Sequence, residues 1–541
     1  MNQSIRTVIL GACLLASAAC PADAQRHRQT INNPVTQAVF RVYQEQLNQN
    51  PKNYDTLLRR ANDYYHFDEF RKALDDVSRA IECTPSSQTD HLFREYLLRA
   101  SIYNKTGRHE LAIPDLQKAC QLEPASQKAL SMKAHTELET GKLAEAKADF
   151  LRLKRLNMRD PEATLGLARI AMQENNLGMA NDYLEEAVAL DPNNPDIYVR
   201  RARVRQQMNQ PQAAVDDLLL ALGTKGGDTQ SVIDALMEFS HKDYPSTIAS
   251  LSNAVAQVPD NGMYRYLRAS IEKEHAHYLD AINDYQYILD NNLDNYRGIY
   301  GSIAECQFAL GRLDDALNNV EYALTTVSGN GPYHLLRARI LRHKGQLPQA
   351  LKAAADALAA MPENGDALAE MALIYAEQGN FDESMKLFGE ASMNHAEEPM
   401  YYLLRANVLE NSMNQPNAAR GLYRRAAGLD VTGDNTLRSL SAFARLFAGD
   451  DVAEITAQVE NELAQSSDTN GYLNYLAACF FAQADDFDRA LAAAEKSLKN
   501  GYANYYNWTE YSDGRVNCAP LRDDLRFLQL LHRNKSLFTN D

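Results

Sequence analysis

The chain of 541 residues carries 71 acidic against 55 basic residues, a formal net charge of −16, and 45% of its residues are hydrophobic. The acidic balance argues against a nucleic-acid-binding surface, because binding to phosphates requires clustered positive charge. The hydrophobic content argues against a disordered chain. After the first 24 residues, no apolar stretch approaches the ~18 residues of a membrane span.

The first 24 residues have the pattern of a secretory signal peptide. Arg6 precedes an apolar run from Val8 to Cys20, and Ala22-Asp23-Ala24 provides a small-x-small cleavage site. We therefore expect a leader over residues 1–24, cleaved near Ala24, and an exported protein of the periplasm or cell envelope. The stretch ending at Cys20 faintly resembles a lipoprotein box, so a lipid anchor at Cys20 is the less favoured alternative.

Alanines recur along most of the chain at a spacing close to 34 residues. A second small residue follows each of them, twelve residues later in ten units and thirteen later in the eleventh, where it is Ala419. Glycine often stands between the two positions, and proline often ends the unit. With apolar residues at helical spacing, each unit is predicted to be a helical hairpin whose helices meet at small residues. The anchor alanines are Ala61, Ala100, Ala134, Ala168, Ala202, Ala235, Ala269, Ala304, Ala338, Ala372 and Ala406.

This pattern resembles the tetratricopeptide repeat, which has small, aromatic or large residues at set positions and a proline near its end. The first unit shows the whole set in Ala61, Tyr64, Ala73, Val77, Ala80 and Pro85. The usual tryptophan of position 4 is absent, and alanine replaces the usual glycine of position 8. The resemblance implies an all-α fold, an α-solenoid in which helix-turn-helix repeats form a right-handed superhelix.

The repeats divide the chain into segments. We predict an N-terminal segment with a capping helix over 25–53, repeats 1–5 over 54–226 and repeats 6–11 over 227–430. Degenerate helical repeats follow over 431–499, and a C-terminal capping segment covers 500–541. End repeats need caps because their outer apolar face has no neighbour. The residues expected to pack over the final repeat are Tyr502, Tyr506, Trp508, Leu521 and Phe527.

Charge is correlated between the two helices of a unit. A basic residue precedes the anchor alanine in seven units, and five of those units carry aspartate sixteen residues later. Units with an uncharged or acidic residue before the anchor lack that aspartate. Antiparallel helices would bring the two positions together, so we predict ion pairs rather than a ladder of ligand-binding arginines. The pairs are Arg60–Asp76, Arg99–Asp115, Lys133–Asp149, Arg201–Asp217 and Arg268–Asp284.

No catalytic or cofactor-binding motif stands out. The chain lacks the phosphate-binding loop, the nucleophile elbow and the zinc-protease helix, so we predict no enzyme, no catalytic residues, no cofactor and no metal site. His275 and His277 are interpreted as exposed residues of a turn. Five cysteines outside the leader, an odd number without a C-x-x-C motif, argue against a disulfide framework.

The resemblance implies that the first helices of successive repeats line a concave face. Large apolar residues at these positions in repeats 6 to 8 suggest a protein-binding patch. The alternatives are that the superhelix or an end segment covers them, or that the register slips in repeat 6. The residues of this patch are Val232, Leu236, Phe239, Met263, Tyr266 and Phe308.

Arginines suggest a second binding surface. Arg339 and Arg342, with His343, form a basic patch that could meet an acidic peptide. Arg405 follows the pattern of the paired arginines, but uncharged residues stand where its aspartate would be. Arg405 is therefore predicted to be free for a ligand.

The sequence favours a non-enzymatic scaffold of the cell envelope that holds a protein or peptide, of unknown identity, in the concave groove of its repeats. The alternative function is binding of envelope carbohydrate or cell-wall material through tyrosine-rich stretches such as 502–511.

Overall fold

The computed structural model describes residues 34–224, 229–293, 298–327, 329–431, 433–466, 468–511 and 513–539. The leader over 1–24, its cleavage site and Cys20 lie outside these ranges, so export and lipidation stay predictions. Within the described ranges, helices are the regular structure and no strand occurs. None of these helices is both long and apolar enough to cross a membrane.

Contacts divide the chain into two compact units, the first ending at Leu236 and the second beginning at Met237. The first unit contains a leading helix, five helical hairpins and the first half of a further helix. Its helices are α1 (Pro34–Gln49), α2 (Tyr54–His66), α3 (Phe70–Cys83), α4 (Thr89–Lys105), α5 (His109–Leu122), α6 (Gln127–Glu139), α7 (Leu143–Leu156), α8 (Pro161–Gln173), α9 (Leu177–Leu190), α10 (Pro195–Gln207), α11 (Pro211–Leu222) and α12 (Thr229–Lys242).

The second unit begins within α12 and continues the hairpins to a short, irregular C-terminal region. Its further helices are α13 (Tyr244–Gln257), α14 (Gly262–Glu274), α15 (Tyr278–Asp290), α16 (Ile299–Ala309), α17 (Leu313–Thr326), α18 (Gly331–His343), α19 (Leu347–Ala360), α20 (Gly365–Glu377), α21 (Phe381–Asn394), α22 (Pro399–Asn407), α23 (Pro416–Ala427), α24 (Asn435–Ala448), α25 (Val452–Gln465), α26 (Tyr472–Gln483), α27 (Phe487–Lys499), α28 (Tyr505–Thr509) and α29 (Leu525–Arg533).

The hairpins are the repeats that the alanine spacing predicts. Even-numbered helices from α2 to α22 are the first helices, and odd-numbered helices from α3 to α23 are the second helices. The partners contact each other in the hairpins from α2–α3 to α10–α11 and from α14–α15 to α22–α23. Anchor alanines such as Ala61, Ala134 and Ala304 are fully buried between them. The all-α solenoid is thus confirmed within each unit.

Local chemistry sets where these helices begin and end. The side chain of Asn53 accepts a hydrogen bond from the Thr56 amide at the start of α2, as an N-cap does. The turn between the two helices of a hairpin requires a left-handed residue, which Gly107 supplies at φ 72°. These caps fix the hairpin geometry in each repeat.

All five predicted ion pairs are confirmed. Arg60, Arg99 and Arg268 each donate two hydrogen bonds of 2.6 to 2.8 Å to the carboxylate of their aspartate. Lys133 contacts Asp149, and Arg201 lies 2.5 Å from Asp217. The aspartates are mostly buried, so each pair joins the two helices of a repeat in the interior.

The eleventh repeat differs because a π-helical turn, Val408–Ser412, follows α22. A π turn accommodates one extra residue in a helix, which explains why Ala419 follows its anchor Ala406 by thirteen residues. Glu410 in this turn accepts a hydrogen bond from Tyr423 at 3.0 Å. The irregular spacing therefore has a local structural cause.

The predicted helix before the first repeat is also confirmed. Tyr43 on α1 donates a hydrogen bond to Asp63 at 2.9 Å. The rings of Phe40 and Tyr64 lie 4.7 Å apart. Through these contacts α1 covers the outer side of α2. The exact boundaries proposed between segments stay predictions.

Candidate partner-binding faces

Contacts between neighbouring first helices identify the residues that share one face of the first unit. His135 on α6 hydrogen-bonds to Glu162 on α8 at 3.2 Å. Arg169 on α8 pairs with Glu139 on α6 at 2.8 Å. Residues at these positions, counted within each repeat, therefore lie side by side along α4, α6, α8 and α10. We call this surface the first-unit face.

The first-unit face is basic although the whole chain is acidic. Each repeat is numbered here with its anchor alanine as position 8. Positions 2, 6, 9 and 13 of α4, α6, α8 and α10 hold six cations and three carboxylates, and all are exposed except the half-buried Arg169. The hydrogen bond from His135 and the charge of Arg200 hold the pKa of Glu162 below its usual value. The cations are Arg94, Lys105, Lys128, Arg169, Arg200 and Arg203, and the carboxylates are Glu139, Glu162 and Asp196.

Several of these cations are accessible for ion pairs with a ligand. Within the described ranges, Arg94, Lys128, Arg200 and Arg203 have no carboxylate within ion-pair distance. Half-buried apolar side chains stand between the charges, so the surface combines charge with apolar contact area. These apolar residues are Leu98, Met132, Leu165, Met172 and Val199.

In the second unit, the corresponding surface is covered by a segment of the same chain. An irregular segment, residues 501–511 and 513–524, lies against the first helices, and we call it the C-terminal strap. Tyr506 of the strap hydrogen-bonds to His343 on α18, with 2.6 Å to Nε2. Its ring lies 4.9 Å from the ring of Phe308 on α16. The strap thus places an aromatic side chain between two first helices.

A carboxylate of the strap reaches the same surface. Asp513 lies 2.7 Å from Arg342 on α18. Arg342 also binds Glu370 at 2.6 Å and Glu377 at 2.9 Å, both on α20. With 5% of its surface exposed, Arg342 is enclosed by carboxylates of its own chain. Its side chain is not open to an acidic peptide, which corrects that expectation.

The strap is anchored at further points along the second unit. Arg515 pairs with Glu410 in the π turn at 3.1 Å. Gly501 lies against the ring of His277, where an added Cβ would be 2.9 Å from the ring. Trp508 is fully buried against Tyr475 on α26, with ring centroids 4.8 Å apart. These contacts make the strap an integral part of the unit.

The predicted apolar patch is not a solvent-facing surface. Val232, Leu236 and Phe239 are buried, because their spacing of four and three residues puts them on one stripe of α12 that faces inward. Met263 and Tyr266 are half-buried. The expected exposure is therefore wrong for the three α12 residues, whereas a binding role for the patch stays a prediction.

The remaining predicted site residues have mixed environments. Phe308 is half-buried beside the strap, as the alternative of a covering end segment proposed. Arg339 lies 3.5 Å from Asp366 and 3.9 Å from Glu370. Arg405 is half-buried, and its Nε finds no hydrogen-bond partner among the described residues. Its role in ligand binding stays a prediction.

Two further expectations about side chains need correction. His275 is 2% exposed and stacks on Tyr244 at 4.4 Å, so it is not an exposed turn residue. Burial lowers its pKa to about 4. Tyr506 reaches back to α16 and α18 instead of covering the final repeat, whereas Trp508 and Phe527 do join the core at that end.

The sequence predicts a covering end segment only as an alternative, and it does not predict the ion pairs of the strap. Asp513 and Arg342 are 171 positions apart, and the period of 34 residues carries no information about a segment outside the repeats. One further signal is the single-residue slip after Ala406, which marks the π turn that holds Glu410 near Arg515.

The fold and these faces define a repeat protein of the all-α solenoid class. Tetratricopeptide repeat models match residues 96–126, 131–195 and 341–408. The chain is a tetratricopeptide repeat protein, and this fold is that of a protein–protein interaction scaffold.

Curated relatives are distant. The chain is similar to DnaJ homolog subfamily C member 3 from Bos taurus, with 20% identity over 60% of this chain and 63% of the relative. The Homo sapiens protein of the same name is 21% identical over the same shares. Anaphase-promoting complex subunit 3 from Schizosaccharomyces pombe is 20% identical over 33% of this chain and 27% of its own. The chain thus spans less than two thirds of the relatives it matches.

Solved structures of other proteins are also similar to parts of the chain, at low sequence identity. Yeast Tom70 covers 77% of this chain and 100% of its own, at 14% identity and a TM-score of 0.33. YrrB, described as a TPR protein with an unusual peptide-binding site, covers 36% of this chain and 96% of its own, at 18% identity and a TM-score of 0.30.

Proposed function

We propose that the protein is a non-enzymatic scaffold that holds an acidic, extended segment of a partner protein on the first-unit face. The observation that carries this proposal is the strap. In the second unit, an irregular segment is held on the first helices by an aromatic side chain and a carboxylate. The first-unit face has the same architecture, exposed cations and no such segment among the described residues.

The geometry of the repeats favours an extended ligand. Neighbouring packed helices lie about 8–10 Å apart, and an extended chain advances about 3.3 Å per residue. Every third residue of an extended peptide therefore meets the next first helix. Arg94 and Lys128 occupy the same position in successive repeats, as do Arg169 and Arg203. A segment with an acidic residue at every third position would match these cations.

The cell envelope is the proposed location. The support is the pattern of the first 24 residues, with Arg6, an apolar run and a small-x-small site before Gln25. An exported acidic scaffold would resist non-specific association through its net charge. Sequencing the amino terminus of the protein purified from its native cells tests this: a start near Gln25 supports export, and an intact Met1 opposes it.

Binding of envelope carbohydrate fits the structure less well. Sugar binding by the tyrosine-rich stretch would need accessible ring faces. Tyr502, Tyr506 and Trp508 are instead buried in the second unit, at 4% exposure or less. Tyr505 is 37% exposed, so the stretch offers a sugar much less ring surface than its five aromatic residues suggest.

A defined peptide tests the proposed face. The probe is a fluorescein-labelled twelve-residue peptide with glutamate at every third position, titrated against the full chain by fluorescence anisotropy. A second peptide carries glutamine at those positions. We expect the glutamate peptide to bind more tightly and to weaken as salt rises, because exposed charge pairs are screened.

Matched charge variants locate the binding. Arg200→Gln with Arg203→Gln removes two charges from the first-unit face and should weaken binding about threefold to tenfold. Arg71→Gln with Arg155→Gln removes two exposed charges from the second helices α3 and α7 and should leave binding unchanged. Equal binding of both peptides, no binding of either, or equal losses in the two variants would refute the proposed face.

The scaffold role has its own test. Chemical crosslinking in intact cells, followed by purification of the full chain, should recover a protein crosslinked in stoichiometric amount to residues of α4 to α10. Binding to purified cell-wall glycan, without any crosslinked protein, would favour the carbohydrate alternative instead.

A further inference from the structure

Two cysteines that are 39 positions apart in the sequence meet in the second unit. Cys479 lies on α26, and Cys518 lies in the strap. Both are fully buried and belong to the same hydrophobic cluster. Gln483, one turn after Cys479 on α26, donates a hydrogen bond to the carbonyl oxygen of Asn517, the residue before Cys518, at 3.1 Å. Both thiols are free, and this contact brings their chain segments together.

The surroundings hold both sulfur atoms in place. The thiol of Cys518 donates a hydrogen bond to the carbonyl oxygen of Trp508, at 3.2 Å. The Arg522 guanidinium also donates a hydrogen bond to this carbonyl, at 3.4 Å. Tyr475 on α26 donates a hydrogen bond to the carbonyl oxygen of Asn507 at 3.4 Å, and the same oxygen lies 3.8 Å from the Cys518 sulfur. The last hairpin and the strap therefore enclose the pair.

We propose that Cys479 and Cys518 form a disulfide bond that fixes the strap to the last helical hairpin. The sequence favoured no disulfide framework, because the cysteine count is odd and no pair is close in the chain. Only the return of the strap brings this pair together. The bond would close a loop of about 40 residues, a length at which a crosslink restricts the unfolded chain substantially.

The oxidant is a disulfide compound, such as oxidised glutathione. The Cys518 thiolate attacks one sulfur of the oxidant, which forms a mixed disulfide and releases one glutathione thiol. Cys479 loses its proton and attacks the Cys518 sulfur, which forms the Cys479–Cys518 bond and releases the second glutathione thiol. Two thiols are oxidised and one disulfide is reduced, so the electrons balance.

The docked strap excludes solvent from both sulfur atoms. The thiolate is the nucleophile in disulfide formation, so the attack on the oxidant takes place while the strap docks during folding.

Refolding of the full chain tests the proposal. The protein is unfolded in urea with reductant, refolded in a mixture of reduced and oxidised glutathione, alkylated and mapped by mass spectrometry. We expect a crosslinked peptide containing Cys479 and Cys518 and two fewer free thiols than in the chain refolded with reductant. Alkylation of both cysteines after oxidative refolding would overturn the proposal, as would pairing of either with another cysteine.

Variants separate the pair from the other buried cysteines. Cys306 is equally buried, so Cys306→Ala is the matched control and should keep the crosslink. Cys518→Ala should lose it. Oxidation should also raise the urea midpoint of the second unit, on the order of 1 M, in the wild type and the control. An equal rise in Cys518→Ala, or no rise in the wild type, would contradict the assigned bond.

Discussion

At the scale of single residues, the buried charges depend most on their partners. Asp217 is 1% exposed and binds two guanidinium groups, Arg201 at 2.5 Å and Arg205 at 3.0 Å. Asp217→Asn leaves both arginines facing a neutral amide. We expect a loss of about 3–5 kcal/mol, the usual cost of breaking a buried ion pair. Hydrogen exchange of the α10 and α11 amides measures this loss as a lower free energy of opening.

The exposed pair between Arg59 and Asp55 provides the matched control, because 67% and 44% of these side chains are accessible. Asp55→Asn should cost less than about 1 kcal/mol in the exchange of the α2 amides. If both asparagine variants lose similar stability, burial is not what makes the Asp217 pair important.

Some of these ion pairs could be predicted from the sequence, and others could not. The pairs Arg60–Asp76 and Arg201–Asp217 were predictable, because a helical hairpin fixes the distance between positions sixteen residues apart. The partner of Arg342 was not, because Asp513 follows no repeat. The burial of Phe239 was not predictable either. Its orientation was assigned from the positions of a regular repeat, and the sixth repeat lacks the usual pattern.

At the scale of helices, close packing depends on glycine as much as on alanine. Gly166 in α8 faces Phe150 on α7, and an added Cβ would be 2.4 Å from the phenyl ring. Alanine usually stabilises a helix interior by about 0.5–1 kcal/mol relative to glycine. Here we expect Gly166→Ala to destabilise by about 1–3 kcal/mol, because the fully buried ring has no room to move. Hydrogen exchange of the α7 and α8 amides tests this.

Gly421 in α23 is the matched control, because a Cβ there would have no atom within 4 Å. Gly421→Ala should therefore slow exchange of the α23 amides by the usual gain in helix propensity. A stabilising effect of alanine at Gly166 would show that α7 and α8 can separate without cost.

At the scale of the whole molecule, the strap changes the type of contact within the second unit. In a simple repeat array, each repeat contacts only its neighbours, and stability is a sum of local terms. Tyr506 and Asp513 instead join the end of the chain to α16 and α18, four to five repeats earlier. The second unit therefore has long-range contacts that a sequence period does not encode.

Trp508→Ala tests whether these contacts act together. The indole is fully buried against Tyr475, Tyr502 and Phe527, so its loss should cost about 3–5 kcal/mol. If the strap is one cooperative element, hydrogen exchange will rise in α26 and also in the distant α16 and α18.

Tyr506→Phe removes only the hydrogen bond to His343 and should cost about 1 kcal/mol, confined to α18. Exchange in Trp508→Ala that rises only in α26 to α29 would mean that the strap docks in independent pieces, and that the second unit behaves as an ordinary repeat array.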